Sequence, residues 1–167
     1  MDHLYTPWRM AYIRGEKKPL EGCVFCQLPH TDGETQIIAR SQYVYVTLNL
    51  YPYNNGHVMV VPYEHIASSE AMPVTALTDL MVTANKTLGA VRKLYGAAAF
   101  NMGANLGQAA GAGIAEHFHF HIVPRWAGDS NFMTVVSSTR VIPDTLDNMY
   151  RELKAVWTEL YGAEETL

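Results

Sequence analysis

Two stretches in the first third of the chain are dense in β-branched and aromatic residues, 36–40 (QIIAR) and 43–48 (YVYVTL). Such side chains suit a pleated, half-buried surface, so both are predicted strands. A turn-rich segment, NLYPYNNGH, with Pro52 and the pair Asn55-Gly56, leads into a third strand at 57–61, which Pro62 stops. From Ala76 to Tyr95 the period changes. Leu77, Leu80, Met81, Ala84, Leu88, Val91, Leu94 and Tyr95 recur at helical offsets, which predicts an amphipathic helix over 76–95. Thr75 is its expected N-cap and Gly96 its C-terminal stop. Residues 97–102 form a fourth candidate strand, and the glycine-rich stretch from Gly103 to Gly113 a flexible loop. The strict alternation of 117–123 (HFHFHIV) predicts another strand, ended by Pro124, with a short one at 133–136. A last helix at about 145–161 carries its stripe on Leu146, Met149, Tyr150, Leu153, Val156, Trp157 and Leu160.

Hairpin-like strand spacing with two interspersed helices predicts an α+β fold, an antiparallel sheet with a long central helix and a C-terminal helix. At 167 residues, one domain is expected, with its core over about 22–130 and an N-terminal arm over 1–21. A chain of this size buries roughly 70% of its unfolded surface, enough for a core without disulfides. Apolar residues make up 49% and charged residues 17%, which excludes disorder as the main state. No apolar run reaches the roughly 20 residues of a membrane span, and residues 1–18 show no signal-peptide pattern. With two closely spaced cysteines and no leader, a cytoplasmic setting is expected and no membrane partner. The net charge of −4 argues against a nucleic-acid partner. An anionic ligand must then be held by local geometry.

The chemistry concentrates in His117-Phe118-His119-Phe120-His121. On a strand the three imidazoles project from one face and the phenylalanines from the other. A core would call for Val or Ile at these positions, because imidazole is costly to bury without partners. Neighbouring rings are spaced about 6.5–7 Å along a flat strand, too far apart for all three to ligate one zinc. Nucleophilic catalysis by the middle histidine fits better. Backbone N–H groups of the upstream glycine loop, Gly111 and Gly113 among them, are candidates to cradle a phosphate or oxyanion.

This segment, continued by Pro124-Arg125, resembles the signature of the histidine triad nucleotide-binding superfamily. Asn49 in the pattern Asn-x-x-Pro…Gly-His-Val-x-Val-x-Pro, the stretch Asn101-Met102-Gly103-Ala104-Asn105, and the runs Trp8–Ile13 and Pro124–Phe132 are similar to a prokaryotic branch of diadenosine tetraphosphate hydrolases and phosphorylases. The resemblance implies that His119 attacks the α-phosphorus and forms a covalent nucleotidyl-histidine. It implies that His121 contacts the phosphate or leaving group, that His57 orients the nucleophile's ring, and that His117 supports the strand or belongs to a metal site. Asn49 would hold ribose and Asn105 phosphate, with Arg125 either aimed at a phosphate tail or capping the sheet edge. The expected substrate is a nucleotide or dinucleoside polyphosphate, and the expected assembly a two-fold homodimer. Many relatives place Ser or Thr where this chain has Gly113 or Ile114.

Cys23-Val24-Phe25-Cys26 is by itself a redox pair or half of a zinc site. Relatives in the superfamily bind a structural zinc through two cysteines, a histidine after the third strand and the first triad histidine. That implies Cys23, Cys26, His65 and His117 as ligands of Zn here. Two other functions remain open at this point: phosphoramidate hydrolysis or nucleotidyl transfer on the same histidine, and a non-catalytic nucleotide-binding or zinc regulatory module.

Overall fold

The computed structural model describes residues 22–31, 36–129 and 144–162. A short helix α1 (Val24–Gln27) precedes strands β1 (Ile37–Arg40), β2 (Val44–Leu48) and β3 (Val58–Pro62). Helix α2 (Val74–Tyr95), strands β4 (Ala99–Gly103) and β5 (Phe120–Arg125), and helix α3 (Leu146–Tyr161) follow. The five strands form one antiparallel sheet in the order β1-β2-β3-β5-β4. The expected α+β architecture is present, and none of the described helices is long and apolar enough to cross a membrane.

Strand alternation sorts side chains between two faces. Val44, Val46, Leu48, Val58, Val60 and Ile122 meet Leu80, Ala84 and Val91 of α2 and Met149, Leu153 and Trp157 of α3 in the main core. The intervening Tyr45, Met59 and Val61 turn to the opposite face, where Ile37 and Phe25 of α1 complete a second cluster. Every residue of β2 and β3 is buried, which is why neither shows a polar–apolar alternation; the one polar member, Thr47, donates to the Gln36 carbonyl. That second face carries the site: Met59 pairs with His121, and Gly103 pairs with His121 from the other side.

Several boundaries move, each for a physical reason. Helix α2 starts at Val74, with Pro73 in extended conformation as its N-cap residue and its carbonyl accepting from the Leu77 N–H. Thr75 therefore lies inside the first turn and caps nothing. Gly96 ends the helix in the left-handed region as expected, and Thr145 caps α3 by accepting from the Asn148 N–H. Strand β5 begins three residues later than the alternation predicts, because the Phe118 N–H donates to the Ile66 carbonyl and leaves the ladder. Pro124 continues the strand instead of ending it. It pairs with Phe100 of β4 and lies beyond the last β3–β5 pair, Val58–Ile122, so its missing N–H interrupts no ladder with β3. The candidate strand at 133–136 lies outside the described residues.

Candidate functional site

His57 immediately precedes β3 and His121 sits on β5, and both rings are buried on the second face of the sheet. His57 Nε2 lies 2.9 Å from His121 Nδ1. The Tyr53 backbone N–H donates to His57 Nδ1 at 2.9 Å. A backbone amide only donates, so His57 Nδ1 must accept, and its proton sits on Nε2. That proton is given to His121 Nδ1, which puts the remaining His121 proton on Nε2. His121 Nε2 is buried and has no hydrogen-bond partner. Burial, followed by the neighbouring histidines, lowers the pKa of His57 to about 3 and that of His121 to about 4. The pair is therefore neutral at pH 7, and it ends in a single unpaired donor.

His119 is set by the same logic. Its Nδ1 lies 2.8 Å from the His117 carbonyl oxygen, and a carbonyl only accepts. The proton is thus on Nδ1, and the lone pair is on Nε2. The rings of His119 and His121 stand 4.9 Å apart, edge to face, and Phe25 packs 5.0 Å from His119. A nitrogen nucleophile and an N–H donor thus share one buried wall. His57 reaches His121 and not His119, so the expectation that it orients the central ring directly is corrected: the His117 carbonyl holds that ring.

His117 faces the other way. Its Nε2 donates to the Pro62 carbonyl at 2.9 Å, which leaves a lone pair on Nδ1. That atom lies 3.3 Å from Cys23 Sγ, 3.5 Å from Cys26 Sγ and 3.3 Å from His65 Nδ1, and Cys26 Sγ is 3.3 Å from His65 Nδ1. All four donor atoms fall within 4.8 Å of one another. A tetrahedral zinc with bonds near 2.3 Å to sulfur and 2.0–2.1 Å to nitrogen spaces its ligands by about 3.3–3.8 Å. The cluster has the donors and the spacing of such a site. Burial and the adjacent Cys23 raise the Cys26 pKa, so the Cys26 thiol holds its proton more firmly unless a cation replaces it.

The other expected residues are more dispersed. Asn49 packs beside the pair, with Oδ1 accepting from the Tyr51 N–H and Nδ2 at 3.4 Å from His57 Nε2. Asn105 is half-buried just past β4. Gly111 has φ +87° and gives its N–H to the Gln108 carbonyl, while the Ala110 and Ala112 amides close on Gly107. The Gly111 amide, one of those expected to cradle a phosphate, is thus engaged within the loop. Gly113 instead borders a cavity of about 460 Å³, shared with Gly22, Val24 and Ile114 and the cluster residues Cys23 and His65.

Arg125 caps the sheet edge. It makes a two-pronged ion pair with Asp129 at 2.6 and 2.8 Å and donates to Asn101 at 2.9 Å. Asp129 also accepts from Asn54, which donates to the Pro124 carbonyl and so ties the loop before His57 to β5. Asn54 and Tyr53 were not legible as site residues. The only signal was their place in a turn-rich segment next to His57.

Residues 30–128 match the family model described as HIT domain. The chain is 37% identical to an AP-4-A phosphorylase of Mycobacterium tuberculosis, across 94% of this chain and 85% of that protein. It is 28% identical to an adenosine 5'-monophosphoramidase of Saccharomyces cerevisiae, across 80% of this chain and 81% of that protein. Among solved structures, it resembles a Zn-bound histidine triad family protein from Mycobacterium smegmatis, with a TM-score of 0.69 and 28% identity, over 86% of this chain and 98% of that one.

Proposed function

Because this chain belongs to the HIT domain family, we propose that it cleaves dinucleoside polyphosphates such as diadenosine tetraphosphate, by hydrolysis or phosphorolysis, through a nucleotidyl-histidine on His119. The observation that carries this is the tautomer set by the His117 carbonyl, which leaves the His119 Nε2 lone pair beside the unpaired His121 Nε2–H. The similarity to an AP-4-A phosphorylase supports the substrate class.

In the first step a P–N bond forms between His119 Nε2 and the α-phosphorus, and the bond to the bridging oxygen breaks. The leaving polyphosphate takes that electron pair. The His121 Nε2–H donates to the oxygen on which charge grows, a fixed donor on a buried wall. In the second step an oxygen of water or inorganic phosphate attacks the same phosphorus and releases its proton to solvent, and the P–N bond breaks with its electron pair returning to His119 Nε2. From diadenosine tetraphosphate, water gives AMP and ATP, and phosphate gives ADP and ATP. Asn49 binds ribose, and Asn105 and Gly113 border the phosphate chain. Gly111 shapes their loop and Arg125 fixes the end of β5.

The same reading gives Cys23, Cys26, His65 and His117 a structural zinc, which supplies a rigid anchor and no reacting bond. It also makes the protein a homodimer that covers the edge strand β4, whose residues are exposed or half-exposed.

A single-turnover incubation with diadenosine tetraphosphate, with and without inorganic phosphate, tests the proposal. ADP formed only with phosphate defines a phosphorylase, and AMP plus ATP in both arms defines a hydrolase. If neither arm shows cleavage while an adenosine phosphoramidate is hydrolysed, the substrate assignment is overturned.

A further inference from the structure

Tyr53 touches the histidine pair twice. Its backbone N–H donates to His57 Nδ1 at 2.9 Å. Its ring stacks on His57, with centroids 4.7 Å apart and planes at 30°, and lies 5.6 Å from the ring of His121. Tyr53 is 48% exposed, whereas His57 is 1% and His121 8% exposed. The ring therefore stands between the pair and solvent.

An amide N–H has one role, so the atom opposite it must keep a lone pair. That constraint passes along the line: His57 Nδ1 accepts, His57 Nε2 donates, His121 Nδ1 accepts, and His121 Nε2 is left as a donor. Without the first link, His57 would be free to carry its proton on either nitrogen, and the atom that His121 shows to the site would be undefined. Hydrogen bonds in such a chain are stronger where water is excluded, and the stacked ring excludes it.

We propose that Tyr53 is a positioning residue: its amide sets the tautomers of His57 and His121, and its ring seals that relay from water, so that His121 presents a donor to an anionic oxygen of the substrate. This rests on the reading of His119 and His121 given above.

Two-bond 1H–15N spectra of histidine-labelled protein, recorded without substrate, read the tautomers directly. The wild type should show Nε2–H for both His57 and His121, with the His57 Nε2 proton slow to exchange. Tyr53→Phe should preserve these tautomers and the slow exchange. Tyr53→Ala keeps the amide and loses the seal, so exchange of that proton should quicken about tenfold or more. On diadenosine tetraphosphate its kcat should fall about tenfold, with KM changed less than about twofold. An Nδ1–H tautomer of His57 in the wild type overturns the proposal. So does a Tyr53→Ala protein with wild-type exchange and kcat. Because the spectra need no substrate, the expected tautomers in a protein that cleaves no dinucleotide would support the relay and count against the catalytic reading alone.

Discussion

The carbonyl oxygen of His117 accepts the Nδ1–H of His119 at 2.8 Å, while the ring of the same His117 closes the cluster with Cys23, Cys26 and His65. Backbone and side chain of one residue thus serve two centres. The two can be separated by mutation. His119→Ala should retain metal and fold and lose turnover by about a thousandfold or more, the scale expected when a covalent nucleophile is removed. His117→Ala keeps the carbonyl and should lose metal first. Product assays beside metal analysis on both variants check this, and equal effects of the two would contradict it.

Protein purified without added zinc should carry about one zinc per chain. Cobalt substitution offers a spectroscopic check, since two thiolate ligands in a tetrahedral field give intense visible absorption. Cys26→Ser should weaken that absorption and Cys23→Ser likewise. A well-folded, active protein with no bound metal would refute the assignment.

Stability should fall with acid well before the carboxylates titrate. His57 and His121 have folded pKa values of about 3 and 4, below the ordinary 6.5. Between those values the unfolded chain binds protons that the folded chain refuses, so stability is full above about pH 6.5 and is lost as pH falls toward 4. With both sites contributing, the slope approaches about 2.7 kcal/mol per pH unit. Urea unfolding from pH 7 to pH 4.5 measures it, and His57→Gln should flatten the curve.

Gly56→Ala should be strongly destabilising. Gly56 has φ +71°, and an added Cβ would sit 2.8 Å from the Tyr95 ring and 3.4 Å from Pro124. Strain and clash together should cost about 2 kcal/mol or more, read as a fall in the denaturation midpoint. Because the next residue is His57, turnover should fall as well.

A charge placed on the exposed edge tests the proposed dimer. Met102 on β4 is 37% exposed, and Met102→Glu is expected to shift the particle from dimer to monomer in sedimentation. A wild-type protein that sediments as a monomer at micromolar concentration would rule out the dimer.

The parts that could be read from the chain alone were those encoded locally. The β2 and β3 runs, the α2 stripe ended by Gly96 and the alternation from His117 to Ile122 each carry their own period, and each matches an element or a shared face. What could not be read depended on distant partners. Nothing local to Pro124 says that β3 ends before it, and nothing local to Phe118 says that Ile66 will take its N–H out of the ladder. The pairing of His57 with His121 spans 64 residues, and its direction is set by the Tyr53 amide at one end. The glycine loop misled for the opposite reason: its composition signals available amides, but three of them are spent on its own turn.

The Cys/His cluster draws its donors from far apart in the chain, with Cys26 and His65 separated by 39 positions, His65 and His117 by 52, and Cys23 and His117 by 94. Bringing two points 94 residues apart together costs a flexible chain about 4 kcal/mol in closure entropy. A cation held there would be a reversible cross-link between the first helix and the lead-in to the last strand of the sheet. It would bind the folded chain more tightly than the open one, so the folded population would rise with free metal concentration by mass action.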